Sequence, residues 1–479
     1  MSPLQNNAPG GERRDREERT AGGLAGCLDR MLDHHVFVLL ILAQAALAQF
    51  GIGNPVSVGL VGILLCMAGF SRREARLDLW IAVPMTVYLV TGAASSYAVF
   101  GSSAPGYPSS HAVFLVIYLL MATMEEGELR VLKLLNILWT ACAAAISLVI
   151  FLYQAMNGTA GRLAGLLHNP NALGIFLVVG WFALKAAPLD GREEEAVFAR
   201  ILRHIEPLLL VTLSLTLSMG SFLAMAAGIL MVLLREARRT SWRESLVLGR
   251  DLLARASLCF AAGFLMYITA RQTQVPWFCL ILLVWLAALT AQWETFGRFL
   301  QACPVAAAGL SGAGVLVAGA IVAIRPSAAA TFAERIEMWR NGCGYLLVHP
   351  LLGLGPDQWW RWNMHDGDTF FQTLHIHNLL LHTGVELGLI ALAALLVIIV
   401  RHFVKSGDPA AFVFLFHNMM DITFFNLGVT SLTLVAAGEP QKGGVRLSAK
   451  TVRVLFAVLL AHFAYVVLYM GMRYIQALL

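Results

Sequence analysis

Charged residues are scarce in this chain, and their scarcity excludes the commonest class of fold. Asp, Glu, Lys and Arg make up only 13% of the 479 residues, whereas 58% are hydrophobic. An average soluble domain has about a quarter of its residues charged, so a soluble protein of this composition would lack the polar groups needed to cover its surface. The net charge of +5 comes from basic residues in short loops, which argues against a nucleic-acid-binding surface.

Cysteine is also rare, and no cleavable export signal is expected. The seven cysteines lie mostly within or beside apolar blocks. Cys343 is the only one in the long polar segment 325–377, so no disulfide can form within that segment. The polar stretch 1–33 is followed by an apolar run without the small-residue cleavage site of a signal peptide. Its Gly, Arg and Glu content predicts a disordered cytoplasmic tail.

Apolar blocks of roughly 15 to 25 residues recur along the whole chain, and each is long enough to cross a bilayer core of about 30 Å. They predict an all-α fold, a polytopic transmembrane helical bundle of about 12–15 crossings. The block 411–437 is interrupted by polar residues and is expected to be one bent helix or two short ones. These interruptions are His417, Asn418, Asp421 and Asn426.

Lys and Arg in short loops predict the orientation, because they concentrate on the cytoplasmic side of a membrane protein. Successive crossings from an inside N-terminus place the basic loops on one side, provided that 411–437 crosses twice. These loops are 72–76, 130–133, 192–204, 235–250, 401–405 and 442–453. The predicted periplasmic face receives 101–111, 157–171, 218–220, the Arg271 loop and the long loop 325–377.

This topology divides the chain into four parts. Residues 1–33 form the tail, 34–155 the N-terminal transmembrane helices, 156–400 a core that includes the periplasmic loop, and 401–479 the C-terminal helices. The loop is expected to contain short amphipathic helices.

The long loop is unusually rich in arginine for a periplasmic face. It contains Arg325, Arg335, Arg340 and Arg361. On a helix, Arg335 would share one face with Trp339 and Gly342. Arg binds the oxygens of phosphates in bidentate fashion, so an anionic ligand such as a diphosphate would explain these residues. The alternative is a surface loop that tryptophans anchor at the membrane interface.

A second cluster lies at 161–171. Asn169 followed by Pro170 is typical of a helix N-cap and first turn. Capping leaves Arg162 unexplained, because it stands beside an apolar helix on the arginine-poor face. We therefore expect Arg162 to bind an anion as well.

Histidines near the end of the long loop offer a general base. His375 and His377 lack the fixed-spacing acidic or Cys partners of a metal site, so no metal and no cofactor is predicted. The pKa of histidine lies near working pH, which suits proton transfer from a hydroxyl. His382 and Glu386 stand four residues apart on one helix face and are expected to form a buried structural pair.

The ordered set of motifs resembles the O-antigen ligase/polymerase superfamily. The matching pieces are Arg162 with Asn169-Pro170-Asn171, the turn Ser218-Met219-Gly220, Arg335 with Trp339, His349-Pro350-Leu351-Leu352-Gly353-Leu354-Gly355, His375-Ile376-His377-Asn378, and Glu386-Leu387-Gly388. The resemblance covers roughly residues 155–400. Two departures stand out, since Met219 replaces the arginine of the family's Ser-Arg-Gly turn and Ala391 replaces a glycine.

The resemblance implies a metal-independent glycosyltransferase of the bacterial inner membrane. Such an enzyme moves a glycan from an undecaprenyl-diphosphate carrier to lipid A–core, or to another glycan acceptor, at the periplasmic face. It implies His377 as the base, with His375 second, and Arg162 and Arg335 as catalytic groups that stabilise the departing diphosphate. The residues expected to bind substrate are His375, Arg340, Arg325, Arg271 and Asn378.

Three alternatives stay open at this point. A polymerase of the same superfamily would use a second lipid-linked repeat unit as the acceptor. A polysaccharide transporter or flippase would need polar groups near the midplane of several helices, and His417, Asn418 and Asp421 are the main candidates. A non-catalytic assembly partner is consistent with Met219.

Overall fold

A computed structural model describes most of the chain. The described residues are 35–50, 54–187, 201–202, 204–272, 277–324, 327–365, 373–441 and 443–478. The predicted tail, 1–33, and Arg325 lie outside them.

The described part is helical almost throughout, as the apolar blocks predict. The α-helices are α1 (His35–Phe50), α2 (Pro55–Gly69), α3 (Leu79–Phe100), α4 (Tyr107–Ala122), α5 (Glu126–Met156), α6 (Pro170–Lys185), α7 (Glu206–Thr216), α8 (Met219–Arg239), α9 (Trp242–Gln272), α10 (Trp277–Ala291), α11 (Trp293–Ala302), α12 (Pro304–Ile324), α13 (Ser327–Val348), α14 (Trp359–His365), α15 (Leu379–Ile398), α16 (Pro409–Asn418), α17 (Leu427–Ala436) and α18 (Ala449–Leu478). Short 3-10 helices span Gly165–Leu167 and Thr423–Phe425, a π-helix spans Ile399–Val404, and the strands are β1 (Ala75–Leu77) and β2 (Val445–Leu447).

Short polar residues begin many of these helices. The side-chain oxygen of Asn169 accepts hydrogen bonds from the backbone N–H groups of Asn171 and Ala172, and Pro170 occupies the first turn. This confirms the predicted N-cap of α6. The same kind of capping begins α2, α3, α8, α15, α16 and α17, at Asn54, Asp78, Ser218, Asn378, Asp408 and Asn426.

The described helices support a multi-pass membrane protein. Six of them are long and apolar enough to cross a membrane, and a seventh span results if α10 and α11 are joined across their bend of 69°. Several shorter apolar helices of 10–17 residues accompany them. The helical class is therefore confirmed, while the number of crossings, about 12–15, and the periplasmic position of the long loop stay predictions.

Described residues in or beside four of the predicted basic loops, 72–76, 235–250, 401–405 and 442–453, meet at one face of the bundle. β1 pairs with β2 in an antiparallel ribbon that sets Leu77 opposite Val445. Nε of Arg401 lies 2.6 Å from Oδ2 of Asp78, and Nη1 of Arg235 donates to the carbonyl of Gly407. We call this side, which carries β1 and β2, the ribbon face. The ribbon was not predicted, because two strands of three residues carry too short a pattern to be recognised.

The interrupted block 411–437 forms two short helices, as one of the two predicted arrangements requires. The chain leaves the ribbon face at Gly407, runs along α16, breaks around Asp421, and returns along α17 to β2. At the break, the Asp421 carboxylate meets His377. We call the side that carries Asp421 and His377 the histidine face.

The long polar segment is more regular than predicted. α13 extends for 22 residues, so only α14 fits the prediction of short amphipathic helices.

Early and late helices also pack together. α18 lies along α2, where Gly59 and Gly62 leave room for Val467 and Phe463. The predicted N-terminal and C-terminal groups of helices therefore belong to one bundle.

Candidate functional site

Asp421 lies at the centre of a polar cluster on the histidine face. Its Oδ1 lies 3.1 Å from Nδ1 of His377 and also accepts a hydrogen bond from the Ile422 N–H. Its Oδ2 accepts a hydrogen bond of 2.8 Å from Nδ2 of Asn171, and Nη2 of Arg335 lies 3.7 Å away. The cluster therefore joins four parts of the chain that are distant in sequence.

The break between α16 and α17 is fixed by hydrogen bonds. The Asp421 N–H donates to the carbonyl of His417. Oδ1 of Asn418 accepts a hydrogen bond of 2.7 Å from the Phe424 N–H. Nδ2 of Asn378 donates to the carbonyl of Met419 at 3.1 Å. These bonds satisfy the backbone groups that the break would otherwise leave exposed to an apolar environment, and they hold the Asp421 side chain in place.

Arg162 reaches the cluster through Asn171. Its Nη2 donates to Oδ1 of Asn171 at 2.8 Å, and its Nε donates to the carbonyl of Thr216 at 3.1 Å. Ser218, the N-cap of α8, donates to the same Asn171 oxygen at 3.1 Å. The amide of Asn171 therefore accepts from Arg162 and donates to Asp421, which fixes the orientation of its two ends.

Arg335 approaches from α13, on the face that was predicted from its spacing with Trp339 and Gly342. Nε1 of Trp339 donates to the carbonyl of His377 at 3.2 Å, and Gly342 lies against Ile376. These contacts confirm the shared face. Nε of Arg335 is buried and has no hydrogen-bond partner among the described residues.

The charges of the cluster favour an ionised Asp421 and a net positive site. Burial alone would raise the pKa of Asp421. The hydrogen bond with His377 and the charges of His417, His377 and Arg335 lower the pKa by more than burial raises it, so it lies well below its usual value. Two guanidinium groups and one carboxylate leave an excess of one positive charge when the histidines are neutral. Such a site suits an anion.

His377 is oriented for proton transfer through its outer nitrogen. Because an ionised carboxylate only accepts hydrogen bonds, its contact with Nδ1 assigns the ring hydrogen to Nδ1 and leaves the lone pair on Nε2. The side chain is 25% exposed, so a hydroxyl can reach it. This geometry would allow proton transfer, and the role of His377 as a general base stays a prediction.

His375 lies beneath the site and does not contact Asp421 directly. Its ring stacks on Phe425 at 5.0 Å and meets the edge of His382 at 5.0 Å. Burial, followed by the charge of His377, lowers the pKa of His375 to about 4. A neutral, stacked His375 supports the segment that carries His377 and is less suited to be the base.

The glycine-rich motif of the long segment fastens it to a break in α15. Gly388 has a φ of 81°, and the backbone N–H groups of Leu354 and Gly355 donate to the carbonyls of Val385 and Glu386. Backbone atoms of Glu386 and Leu351 stand where Cβ atoms of Gly353 and Gly388 would lie. The motif 349–355 and the Glu386-Leu387-Gly388 sequence thus have a structural role here.

Glu386 extends this contact. Its side-chain oxygens accept hydrogen bonds of 2.9 Å from the N–H groups of Asp357 and Trp359. His382 lies 3.3 Å from Glu386, and both side chains are 0% exposed. The predicted buried structural pair is therefore confirmed, and its function is to hold the segment before α14.

Other predicted site residues lie apart from the cluster or serve as caps. Arg340 is exposed on α13. Arg271, at the end of α9, donates to Tyr267 of its own helix at 2.9 Å. Asn378 caps α15 and bonds to Met419, which accounts for its polar atoms without a ligand. Ala391 is buried in the core, and Met219 occupies the first turn of α8 beside the cluster.

Sequence reasoning missed the central residue of this cluster. The sequence singled out Asp421 as an interruption of an apolar block and as a polar candidate for a transporter, and Asn171 as part of a capping motif and of the family resemblance, but neither was predicted as a site residue. An acidic residue inside an apolar block is costly and is a functional candidate by default, which is the signal that could have identified Asp421. Among the described residues, no group of three or more His, Cys, Asp or Glu is arranged to hold a metal ion.

The sequence was also compared with protein-family models and with curated proteins. No family model matches the chain, and no curated protein matches it.

Proposed function

We propose that this protein is an integral-membrane glycosyltransferase that moves a glycan from a polyprenyl diphosphate to a hydroxyl of an acceptor at the histidine face. The observation that carries the proposal is the contact between Asp421 and His377, flanked by Arg162 and Arg335. A base for a hydroxyl and cations for a diphosphate are the two requirements of this transfer.

The base step uses His377. Nε2 accepts the proton of the acceptor hydroxyl while the oxygen attacks the anomeric carbon of the donor. The ring becomes a cation, and the adjacent carboxylate of Asp421 stabilises that charge at 3.1 Å. This is the role that a carboxylate plays beside histidine in hydrolytic triads.

The leaving-group step uses the two arginines. As the bond from the anomeric carbon to the diphosphate oxygen breaks, the lipid diphosphate gains negative charge. Arg335 has an unpaired buried Nε among the described residues, and it makes a long contact of 3.7 Å with Asp421. An incoming phosphate oxygen is therefore a better partner than those it has. Arg162 is held rigidly by Thr216 and Asn171, so little reorganisation is needed.

Direct displacement by the acceptor predicts inversion at the anomeric carbon. The proposed reaction uses neither a metal nor a nucleotide sugar. The acceptor is lipid A–core for a ligase and a second lipid-linked repeat unit for a polymerase, and both use the same two steps. The proposal places the protein in a bacterial inner membrane with the histidine face in the periplasm. This orientation agrees with basic loops on the ribbon face.

Transfer by the purified protein tests the proposal. Proteoliposomes are supplied with an undecaprenyl-diphosphate-linked oligosaccharide and with either lipid A–core or excess donor as acceptor. Capped lipid A–core identifies a ligase, and elongated lipid-linked glycan identifies a polymerase. We expect His377→Ala, Arg162→Ala and Arg335→Ala each to lower the rate by about 100-fold or more.

Matched controls are His35→Ala and Arg238→Ala, whose exposed side chains lie at the first turn of α1 and the last turn of α8. Both should keep the wild-type rate. Transfer that survives His377→Ala and Arg162→Ala would contradict the site assignment. Movement of lipid-linked glycan across the bilayer without transfer would instead favour a flippase, and absence of both activities would favour an assembly partner.

A further inference from the structure

A large cavity opens on the ribbon face, far from the Asp421 cluster in the fold. Its volume is about 800 Å³, within the range of small-molecule sites. It lies between the start of α3, the end of α15 and the segment that precedes β2. Charged side chains on its wall are Asp78, Glu126, Arg401, Lys405 and Glu439.

The wall of this cavity contains a rare backbone feature. After α15 the chain continues as a π-helix over Ile399–Val404. Such wide turns are uncommon and often occur at functional sites, because the extra residue changes the direction of neighbouring side chains. Here Arg401 contacts Asp78 at 2.6 Å, while His402 points inward and bonds to the carbonyl of Leu434 at 3.0 Å. The π-helix therefore places Arg401, Lys405 and the buried His402 on the wall of the cavity.

An apolar groove continues from the cavity along α15. It has a volume of about 370 Å³ and is lined by Trp80, Leu396, Val397, Val400 and Arg401. Trp80 and Arg401 line both spaces. Trp80 is 68% exposed in the first turn of α3, as is typical of tryptophans at a membrane interface. A polar cavity joined to an apolar groove at the membrane interface suits an amphiphile, whose head group would occupy the cavity and whose chain would occupy the groove.

The charges of the wall indicate the head group. Arg401 is already compensated by Asp78. Lys405 and Glu439 are both exposed, and neither forms an ion pair within the described residues. A phosphate matches Arg401 and Lys405, whereas the carboxylates of Glu126 and Glu439 would repel a purely anionic head group. An ammonium group matches those carboxylates.

We propose that this cavity and groove bind a glycerophospholipid whose head group carries both a phosphate and a primary amine. The phosphate lies by Arg401 and Lys405, the amine lies by Glu439, and one acyl chain follows the groove along α15. This site is separate from glycan transfer, and its occupant does not take part in that reaction.

Native mass spectrometry of the full-length protein in detergent tests the proposal with three probes. These are phosphatidylethanolamine, phosphatidylglycerol with the same acyl chains, and soluble glycerophosphoethanolamine without chains. We expect the wild type to bind phosphatidylethanolamine at least about 10-fold more tightly than either of the others, since one well-placed ionic contact and one buried chain each contribute on that scale.

Two exposed positions provide the variants. Lys405→Ala and Glu439→Gln should each weaken phosphatidylethanolamine binding by about 5-fold or more, and Glu439→Gln should also reduce the preference over phosphatidylglycerol. Lys450→Ala, on the exposed first turn of α18 and outside the cavity wall, is the control and should bind like wild type. Unchanged binding in both variants, equal binding of the two lipids, or equal binding of the chain-free head group would each overturn the proposal.

Discussion

Asp421 and His377 stand 44 residues apart in the chain, yet the Asp421 carboxylate and Nδ1 of His377 are 3.1 Å apart in the fold. The contact decides which nitrogen of the imidazole is available, because an ionised carboxylate fixes the hydrogen on Nδ1. Asp421, which lies between α16 and α17, therefore determines that Nε2 of His377 is the nitrogen free to accept a proton.

Replacing Asp421 by asparagine tests this relationship. The asparagine amide can donate to Nδ1, which would place the ring hydrogen on Nε2 and remove the base. We expect the kcat of glycan transfer to fall by about 100- to 10,000-fold, with little change in KM. The measurement is steady-state transfer in proteoliposomes.

The double variant Asp421→Asn/His377→Ala provides the control. Because the two residues act as one unit, it should be no slower than His377→Ala alone. Additive losses, or a normal rate in Asp421→Asn, would show that Asp421 does not orient the base.

Substitutions at the break in α15 test the structural role of the glycine motif. In Gly388→Ala, the new Cβ would overlap the Leu351 carbonyl oxygen, at a φ of 81°. We expect a loss of about 3 kcal/mol or more in the free energy of unfolding, because both overlap and backbone strain contribute. Thermal unfolding in detergent measures it.

Gly344→Ala on α13 is the matched control, because nothing lies within 4 Å of its Cβ position. An exposed helical glycine costs up to about 1 kcal/mol relative to alanine, so this variant should be slightly more stable than wild type. Equal melting temperatures for Gly388→Ala and wild type would contradict the close packing of residues 351 and 388.

Asp357 gives the long segment a defined pH dependence. Burial raises the pKa of Asp357 to about 6, against the partial opposing effect of Arg361. The native state therefore keeps a proton that the unfolded chain loses from about pH 4 upward. The contribution of Asp357 to the free energy of unfolding accordingly falls as the pH rises from about 4 to about 6. At higher pH this loss of stability stays constant.

We expect Asp357→Asn to remove this cost. The melting temperature of the variant should exceed that of wild type by an amount that grows from pH 4 to pH 6 and then stays constant, equivalent to about 3 kcal/mol. Asparagine also tolerates the φ of 59° at this position, which adds a gain independent of pH. A difference that does not change with pH would mean that Asp357 is ionised in the native state throughout.

Met219 offers a gain-of-function test. It occupies the first turn of α8 directly after Ser218, which bonds to Asn171 of the cluster. An arginine there would add a cation at a helix N-terminus beside two others, which is favourable only with an anion bound. Met219→Arg should therefore lower the stability of the free protein and lower the KM for the diphosphate donor.

The conservative variant Met219→Leu separates charge from packing. It should keep the stability and KM of the wild type, since its volume and apolar character are similar. If the KM for the diphosphate donor rises in Met219→Arg, the prediction is wrong, and the diphosphate does not bind near the start of α8.

The sequence predicted well those features that depend on local pattern. Apolar length predicted the helices, the Asn169-Pro170 step predicted a cap, and the spacing of Arg335, Trp339 and Gly342 predicted that these three residues share one side of α13. The four-residue spacing of His382 and Glu386 likewise predicted a pair on one helix face. Each of these is decided within a few turns of helix.

Features that depend on distant contacts were missed. Asp421 becomes a partner of His377 only because the break between α16 and α17 is turned towards the start of α15, which no local pattern records. The glycine motif appeared to belong to the site, yet Gly353 and Gly388 are required by backbone approach. Arg271 has the right charge and sits on a predicted periplasmic loop, but its described side-chain contacts are with Tyr267 of its own helix.

The pairing of β1 with β2 has a consequence for how the protein is made. Residues 75–77 can pair only after residues 445–447 have been synthesised. Asn171 can bond to Asp421 only after a further 250 residues have been added. Until then β1 and Asn171 stand beside an incomplete bundle. Neither face can therefore acquire its final form during translation of the first helices, and a chain that stops before residue 421 would lack the partner that orients its base.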